Sequence, residues 1–242
     1  MTTQIGNARI LPQSRQIKHT TRALLPLILL LSLASCQTAG PADDPVSRTF
    51  TWFDYLGGGD LRRTCGPGAS PRWRFVYNGI WSEQVRTYDV VLGPAPAVEV
   101  HVFSGGVDLT YGDEGLFPAW FGRGARQALT PEEAVRLRRA FAADVSEPLP
   151  VGSFLRSDDF YLTASRCRDG QFAFAAWDRS QPGFARLPYL AALAPFDRSR
   201  RPVNPVRDLD LPLFDKAATR NRGSRGGSPV FRVQVGVDGI NR

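Results

Sequence analysis

The sequence predicts a β-rich α+β fold: a mostly antiparallel sheet or partly closed barrel with one covering helix. Three observations lead there. Turn signals separate β-prone runs at three places, an alternating apolar stretch closes the chain, and only one segment carries a complete helix-start signature.

In chain order, the aromatic run of residues 49–55 (TFTWFDY) favours extended backbone, and Gly57-Gly58-Gly59 then breaks it. Residues 72–77 and the run at 85–92 read as two strands. Asn78-Gly79, a strong hairpin dipeptide, stands at the end of the first. From 97 to 103, Val98, Val100 and Val102 alternate with Glu99, His101 and Phe103, the pattern of a strand buried on one face. Ser104-Gly105-Gly106 then turns the chain into residues 107–111 for a second hairpin. Residues 160–168 and 171–177 flank Asp169-Gly170, a two-residue loop suited to a type I′ turn. Near the end Phe231, Val233, Val235 and Val237 alternate with Arg232, Gln234 and Gly236. A strand so apolar needs a partner, which pins the terminus into the sheet.

Thr130-Pro131-Glu132-Glu133 supplies an N-cap, a proline at the first helical position and a glutamate at the third, together a capping box. The helix is expected to run to about residue 143. Ala134, Leu137 and Phe141 form its apolar stripe, and Arg136, Arg138 and Arg139 its polar side. Residues 195–229, rich in Arg, Pro, Asp and Gly, read as a long mobile surface loop.

The first 22 residues hold Arg9, Arg15, Lys18, His19 and Arg22 with no acid, and an apolar run follows from Ala23 to Ala34. That run is shorter than the roughly 20 residues a spanning helix needs, and Pro26 interrupts it, so an export signal is the better reading. Leu33-Ala34-Ser35-Cys36 comes next and resembles the lipobox of bacterial lipoproteins. The resemblance covers the export segment alone. It implies cleavage before Cys36, a lipid on the Cys36 thiol and, usually, an acylated new N-terminus. Several acyl chains hold a protein on a bilayer far better than one. Gln37, rather than Asp, after the cysteine implies transfer to the outer membrane, facing the periplasm. The domain organisation expected is therefore a signal peptide over 1–35, a lipidated tether over 36–48 and one β-rich domain over 49–242.

Removing the signal takes away four of the 30 cations and none of the 23 acids, so the mature charge falls to about +3 and the case for nucleic acid weakens. Lys216 is the only lysine left, a bias that matches a G+C-rich genome. Cys65 and Cys167 make an even pair, expected as a disulfide in an oxidising compartment. A metal site is not expected, since His101 is the one mature histidine and no CxxC spacing occurs. No cofactor motif is present either. Gly57-Gly58-Gly59-Asp60 and Gly122-Arg123-Gly124 lack the spacing of phosphate or dinucleotide loops.

Catalytic residues are not assigned. His101 has only Glu99 on its strand face and no Gly-x-Ser-x-Gly elbow accompanies it. The acidic pairs Asp113-Glu114 and Asp158-Asp159 leave a hydrolase of glycan or peptide as the alternative, since that chemistry needs two facing carboxylates. Phe117, Trp120 and Phe121 form an aromatic group readable as a docking patch or a core plug. Arg198, Arg200, Arg201, Arg220, Arg222 and Arg225 suit anionic lipid headgroups near an anchor. The function expected is a membrane-anchored envelope module, non-catalytic, that binds an envelope protein or a lipid.

Overall fold

The computed structural model describes residues 52–104, 123–142, 147–213 and 230–241. Six strands form one antiparallel sheet: β1 (Arg72–Gly79), β2 (Gln84–Val91), β3 (Ala97–Ser104), β4 (Arg123–Ala128), β6 (Phe160–Arg168) and β7 (Gln171–Asp178). Their order is β4-β3-β2-β1-β6-β7. A second, three-stranded sheet joins β5 (Phe154–Arg156), β8 (Arg232–Gly236) and β9 (Gly239–Asn241) in the order β5-β8-β9. The fold is thus α+β and sheet-rich, with two open sheets and no closed barrel among the described residues.

Both faces of the large sheet are covered, and this decides the packing. Trp73, Phe75, Tyr77, Tyr88, Val90, Val98, Val100, Val102, Leu162 and Trp177 share one face and one core. Helix α3 (Pro131–Ala142) lies in that core through Ala134, Leu137 and Phe141. Its capping box forms, with Thr130 N donating to Glu133 Oε2 at 2.8 Å and Glu133 N donating to Thr130 Oγ1 at 3.2 Å. Phe141 packs at a tilt on Phe75 with ring centroids 4.8 Å apart, and Tyr189 of the short helix α4 (Pro188–Leu193) stacks on Phe75 at 5.1 Å. Burying side chains of this size contributes about 2 to 3 kcal/mol each.

The opposite face carries Val76, Val85, Phe103, Tyr161 and Ala176, packed on Trp52, Leu56, Trp81, Leu155, Phe231, Val233 and Val235. Two short helices and the small sheet supply that cover. β3 is therefore buried on both sides: His101 and Phe103 are inside as well as the three valines. The alternation predicted a one-sided strand because it cannot see a second layer.

The segment expected as a first strand is helical from Phe53 on: α1 (Phe53–Leu56) and α2 (Gly59–Thr64) lie on either side of Gly57-Gly58. Gly58 takes φ +70°, and a Cβ on Gly57 would stand 2.8 Å from Ile240 N, so these glycines let one helix turn into the next close against β9. Asn78 and Gly79 belong to β1, and the reversal lies over residues 80–83. Glu83 N and Gln84 N both donate to Ile80 O, with Ile80 itself at φ +70°. Asp169 (φ +54°) and Gly170 (φ +73°) make the type I′ pair between β6 and β7 as expected. β8 ends at Gly236 and folds back into β9, so Val237 is an exposed turn residue and the C-terminal strands pair within the small sheet rather than the large one. Arg123 and Gly124 open β4.

Residues 197–213 contain no helix or strand but are not a free loop. They form a strap held by buried groups. Arg86, fully enclosed, donates to the Asp197 carboxylate, to Arg201 O at 2.8 Å and to Pro202 O at 3.1 Å. Tyr77 Oη donates to Asn204 O at 2.6 Å, and Val203, Val206 and Leu209 pack on the core. A buried guanidinium must find acceptors, and the strap's carbonyls provide them. The second predicted hairpin arm at 107–111 and residues 214–229 of the long loop lie outside the described residues.

Candidate functional site

Among the described residues a connected polar group lies on the large sheet's face beneath α1 and α2. Register places Arg74 opposite Asp89, Asp89 opposite Glu99, and Glu99 opposite Arg126, a row of four charges across β1 to β4. Arg74 anchors it. Its Nε donates to Asp89 Oδ1 at 2.8 Å, and its two terminal nitrogens donate to Asp60 at 2.5 and 3.0 Å. Tyr55, from α1, lies under the guanidinium, 3.6 Å from ring centroid to Cζ, and its hydroxyl donates to Asp89 Oδ2 at 2.6 Å. Further along, His101 Nε2 is 3.0 Å from Glu99 Oε1, and Arg126 is 3.5 Å from Glu99 Oε2.

Local structure explains the placement. Alternation along β1 sends Trp73, Phe75 and Tyr77 to the helical layer and Arg74 to the other side. The two glycine-linked helices then bring Tyr55 and Asp60 against Arg74. Disulfide Cys65–Cys167 ties the end of α2 to β6, and Arg72, two residues from Arg74, is the register partner of Cys167.

The electrostatics follow from burial and charge together. Burial pushes the Asp60 carboxyl up, but the hydrogen bonds and charge of Arg74 outweigh it and hold the group below its ordinary value. Burial, reinforced by the Asp89 charge, pushes the Tyr55 phenol well above its usual range, so it stays a proton donor to Asp89. Burial opposes the charge on Arg74, yet Asp89, Tyr55 and Asp60 raise its value overall. An acid catalyst near neutral pH needs a carboxyl held protonated, and the shift on Asp60 runs the other way. Arg74 and Asp89 thus hold α1 and α2 on the sheet through Tyr55 and Asp60.

The other predicted residues are placed as follows. Cys65 and Cys167 are joined, their Cα atoms 5.5 Å apart. Asp158 pairs in a forked contact with Arg156, at 3.0 and 2.9 Å. Asp159 accepts from Phe160 N and from Arg179 Nε, each at 2.8 Å. These two carboxylates hold local structure and do not face each other across a cleft. Arg198 donates to Gln127 Oε1 at 3.0 Å. Cys36, Asp113, Glu114, Phe117, Trp120, Phe121, Arg220, Arg222 and Arg225 lie outside the described residues. Among the described residues no three His, Cys, Asp or Glu side chains are grouped to hold a metal ion. An open cleft of about 470 Å³ borders the strap, lined by Glu83, Gln84 and residues 201–205. Its polar groups bind one another: Asn204 Nδ2 donates to Glu83 Oε2 at 2.7 Å, and Asn204 N to Gln84 Oε1 at 3.0 Å.

Sequence reasoning missed Tyr55, Asp60, Arg74 and Asp89. A two-residue loop at Asn78-Gly79 would set Arg74 opposite Glu83. Placing the turn at 80–83 sets it opposite Asp89, so the shifted turn concealed the row.

No family model, no curated protein and no solved structure matches the chain.

Proposed function

We propose that the protein is an exported lipoprotein, held by a lipid on Cys36 at the periplasmic face of the outer membrane, whose folded body is a non-catalytic binding or structural module. The observation that carries this reading is the Cys65–Cys167 disulfide, because such bonds persist in oxidising compartments and are rare in the cytosol. It agrees with an N-terminus laid out as an export signal ending in a lipobox. Support for a module rather than a catalyst comes from the engagement of Asp60, Asp89, Asp158 and Asp159 in ion pairs that hold helices, turns and strands in place.

Mass spectrometry of the detergent-extracted native protein tests it. The expected result is a chain that starts at Cys36 and carries added acyl chains, with Cys36→Ser no longer extracted with the membrane fraction. An unlipidated mass overturns the anchor. A co-purifying lipid or envelope protein in the native spectrum identifies what the module binds, whereas turnover of cell-wall fragments by the extracted protein overturns the non-catalytic part.

A further inference from the structure

The large sheet ends on two edge strands, β4 and β7, and they differ in what guards them. A free edge offers unpaired backbone groups to any other strand, and charged side chains or a very short edge normally blunt it. β4 carries the exposed Arg126, and the outer strands of the small sheet, β5 and β9, are three residues long. β7 has eight residues, and its first five, Gln171-Phe172-Ala173-Phe174-Ala175, hold no charge, no proline and no glycine.

Hydrogen bonds show which backbone groups of β7 face outward. The Ala176 carbonyl accepts from Leu149 N, and Asp178 N donates to Gln181 Oε1, so both residues turn their backbone away from β6. Pairing with β6 is regular along the whole strand, and outward residues alternate in an antiparallel ladder, so Phe172 and Phe174 face the same way. Among the described residues no hydrogen bond reaches their two N–H and two C=O groups. The chain at Leu149 covers the far end of the edge. Residue 171 is exposed, and residues 172–175 are half-buried.

The open stretch is symmetric about Ala173, and this selects its partner. A second β7 running antiparallel, with the two Ala173 residues facing each other on a twofold axis, sets each Phe172 opposite the partner's Phe174. Residues paired in this way exchange both of their N–H···O bonds, which uses all four free groups on each strand. The side chains agree with that register. Phe172 lies beside Gly58, and Phe174 packs on the core that holds Trp52 and Leu56, so the rings meet across the strands on one face, where aromatic pairs stabilise a sheet. Ala173 meets its copy on the other face, the one on which Ala175 packs against the α3 core, and two methyl groups leave room for close approach. Because the stretch is uncharged, no charge opposes its own copy across the axis.

We propose that the β7 edge is a self-association surface: two copies of the chain pair antiparallel along residues 171–175, about Ala173, and join their large sheets into one. The same patch serves both copies, so the contact closes as a dimer and leaves no β7 edge free to add a third. The pairing involves neither Cys36 nor a lipid.

Cysteine cross-linking of the extracted full chain tests the register. Ala173→Cys stands about 4.5 Å from its copy between Cα atoms, within disulfide reach, whereas Gln171→Cys, opposite the partner's Ala175, stands roughly 13 Å from its own copy. Under mild oxidation Ala173→Cys is expected to give several-fold more disulfide-linked dimer than Gln171→Cys or the unaltered chain. Equal linkage at the two positions overturns the proposal, since chance encounters in a detergent micelle link both alike. Charge tests the surface itself. Ala173→Lys and Ala173→Glu each set like charges face to face, so each alone is expected to run as a monomer in native mass spectrometry, and the two mixed are expected to form the mixed pair. A near-ultraviolet spectrum matching the unaltered chain shows that both are folded, and if either is not, the cysteine comparison decides. An unaltered chain that is monomeric, a folded Ala173→Lys variant that stays paired, or a β7 edge cross-linked to a different protein overturns the proposal, and none of these outcomes bears on the anchor.

Discussion

Asp60 sits at the open side of the Arg74 pair, and its charge is held by a guanidinium that α2 brings it to only when the chain is folded. The folded carboxyl is below its unfolded value, so it binds a proton less readily in the native state. Its contribution to stability is therefore complete above the unfolded value, about pH 4, and is lost as pH falls through the folded one. Asp60→Asn should lower stability at pH 7 and shrink the loss between pH 7 and pH 3, read as urea midpoints at the two pH values. An unchanged acid loss would show that other carboxylates carry it. Tyr55, shifted the opposite way, keeps its hydroxyl proton across the same range.

At the scale of elements, what could be read from the chain was what depends on neighbours within a few residues. The Asp169-Gly170 hairpin and helix α3 were legible because a turn dipeptide and a capping box act locally. The capping box makes a direct prediction: Thr130→Ala should cost about 1 kcal/mol in a denaturation experiment, by freeing the Glu133 amide at an exposed helix start. A change near zero would mean that Pro131 and the buried stripe suffice. Helices α1 and α2 were hidden because aromatic residues favour strands on their own, and packing of Trp52, Leu56 and Leu61 overrides that preference. The strap was hidden for a different reason. Its composition is that of a loop, and nothing in residues 197–213 reveals that Arg86, more than a hundred positions earlier, needs their carbonyls. The charge row required the register of three strand pairs, and a turn misplaced by three residues moves the β1 partner of every β2 position.

For the whole molecule, the disulfide joins residues 102 apart and encloses β1 to β5, α3 and most of β6 in one covalent ring. In the chain-entropy picture a ring of that size contributes about 4 to 5 kcal/mol by restricting the unfolded chain. Paired Cys65→Ala and Cys167→Ala substitutions should lower the urea midpoint without moving the near-ultraviolet spectrum in water. A variant that loses its native spectrum in water as well would show that α2 docking depends on the bond.

That ring also fixes how the fold bears load. A pull on the N-terminus enters at Trp52, runs through α1 and α2 and reaches Cys65, where the covalent bridge passes it straight to Cys167 in β6, a strand flanked by β1 and β7. The interval between the two cysteines cannot be drawn out, so extension under tension is limited to the short helical lead and to the chain beyond β6. In a thread that is tugged from one end, the sheet behaves as a knot already tied.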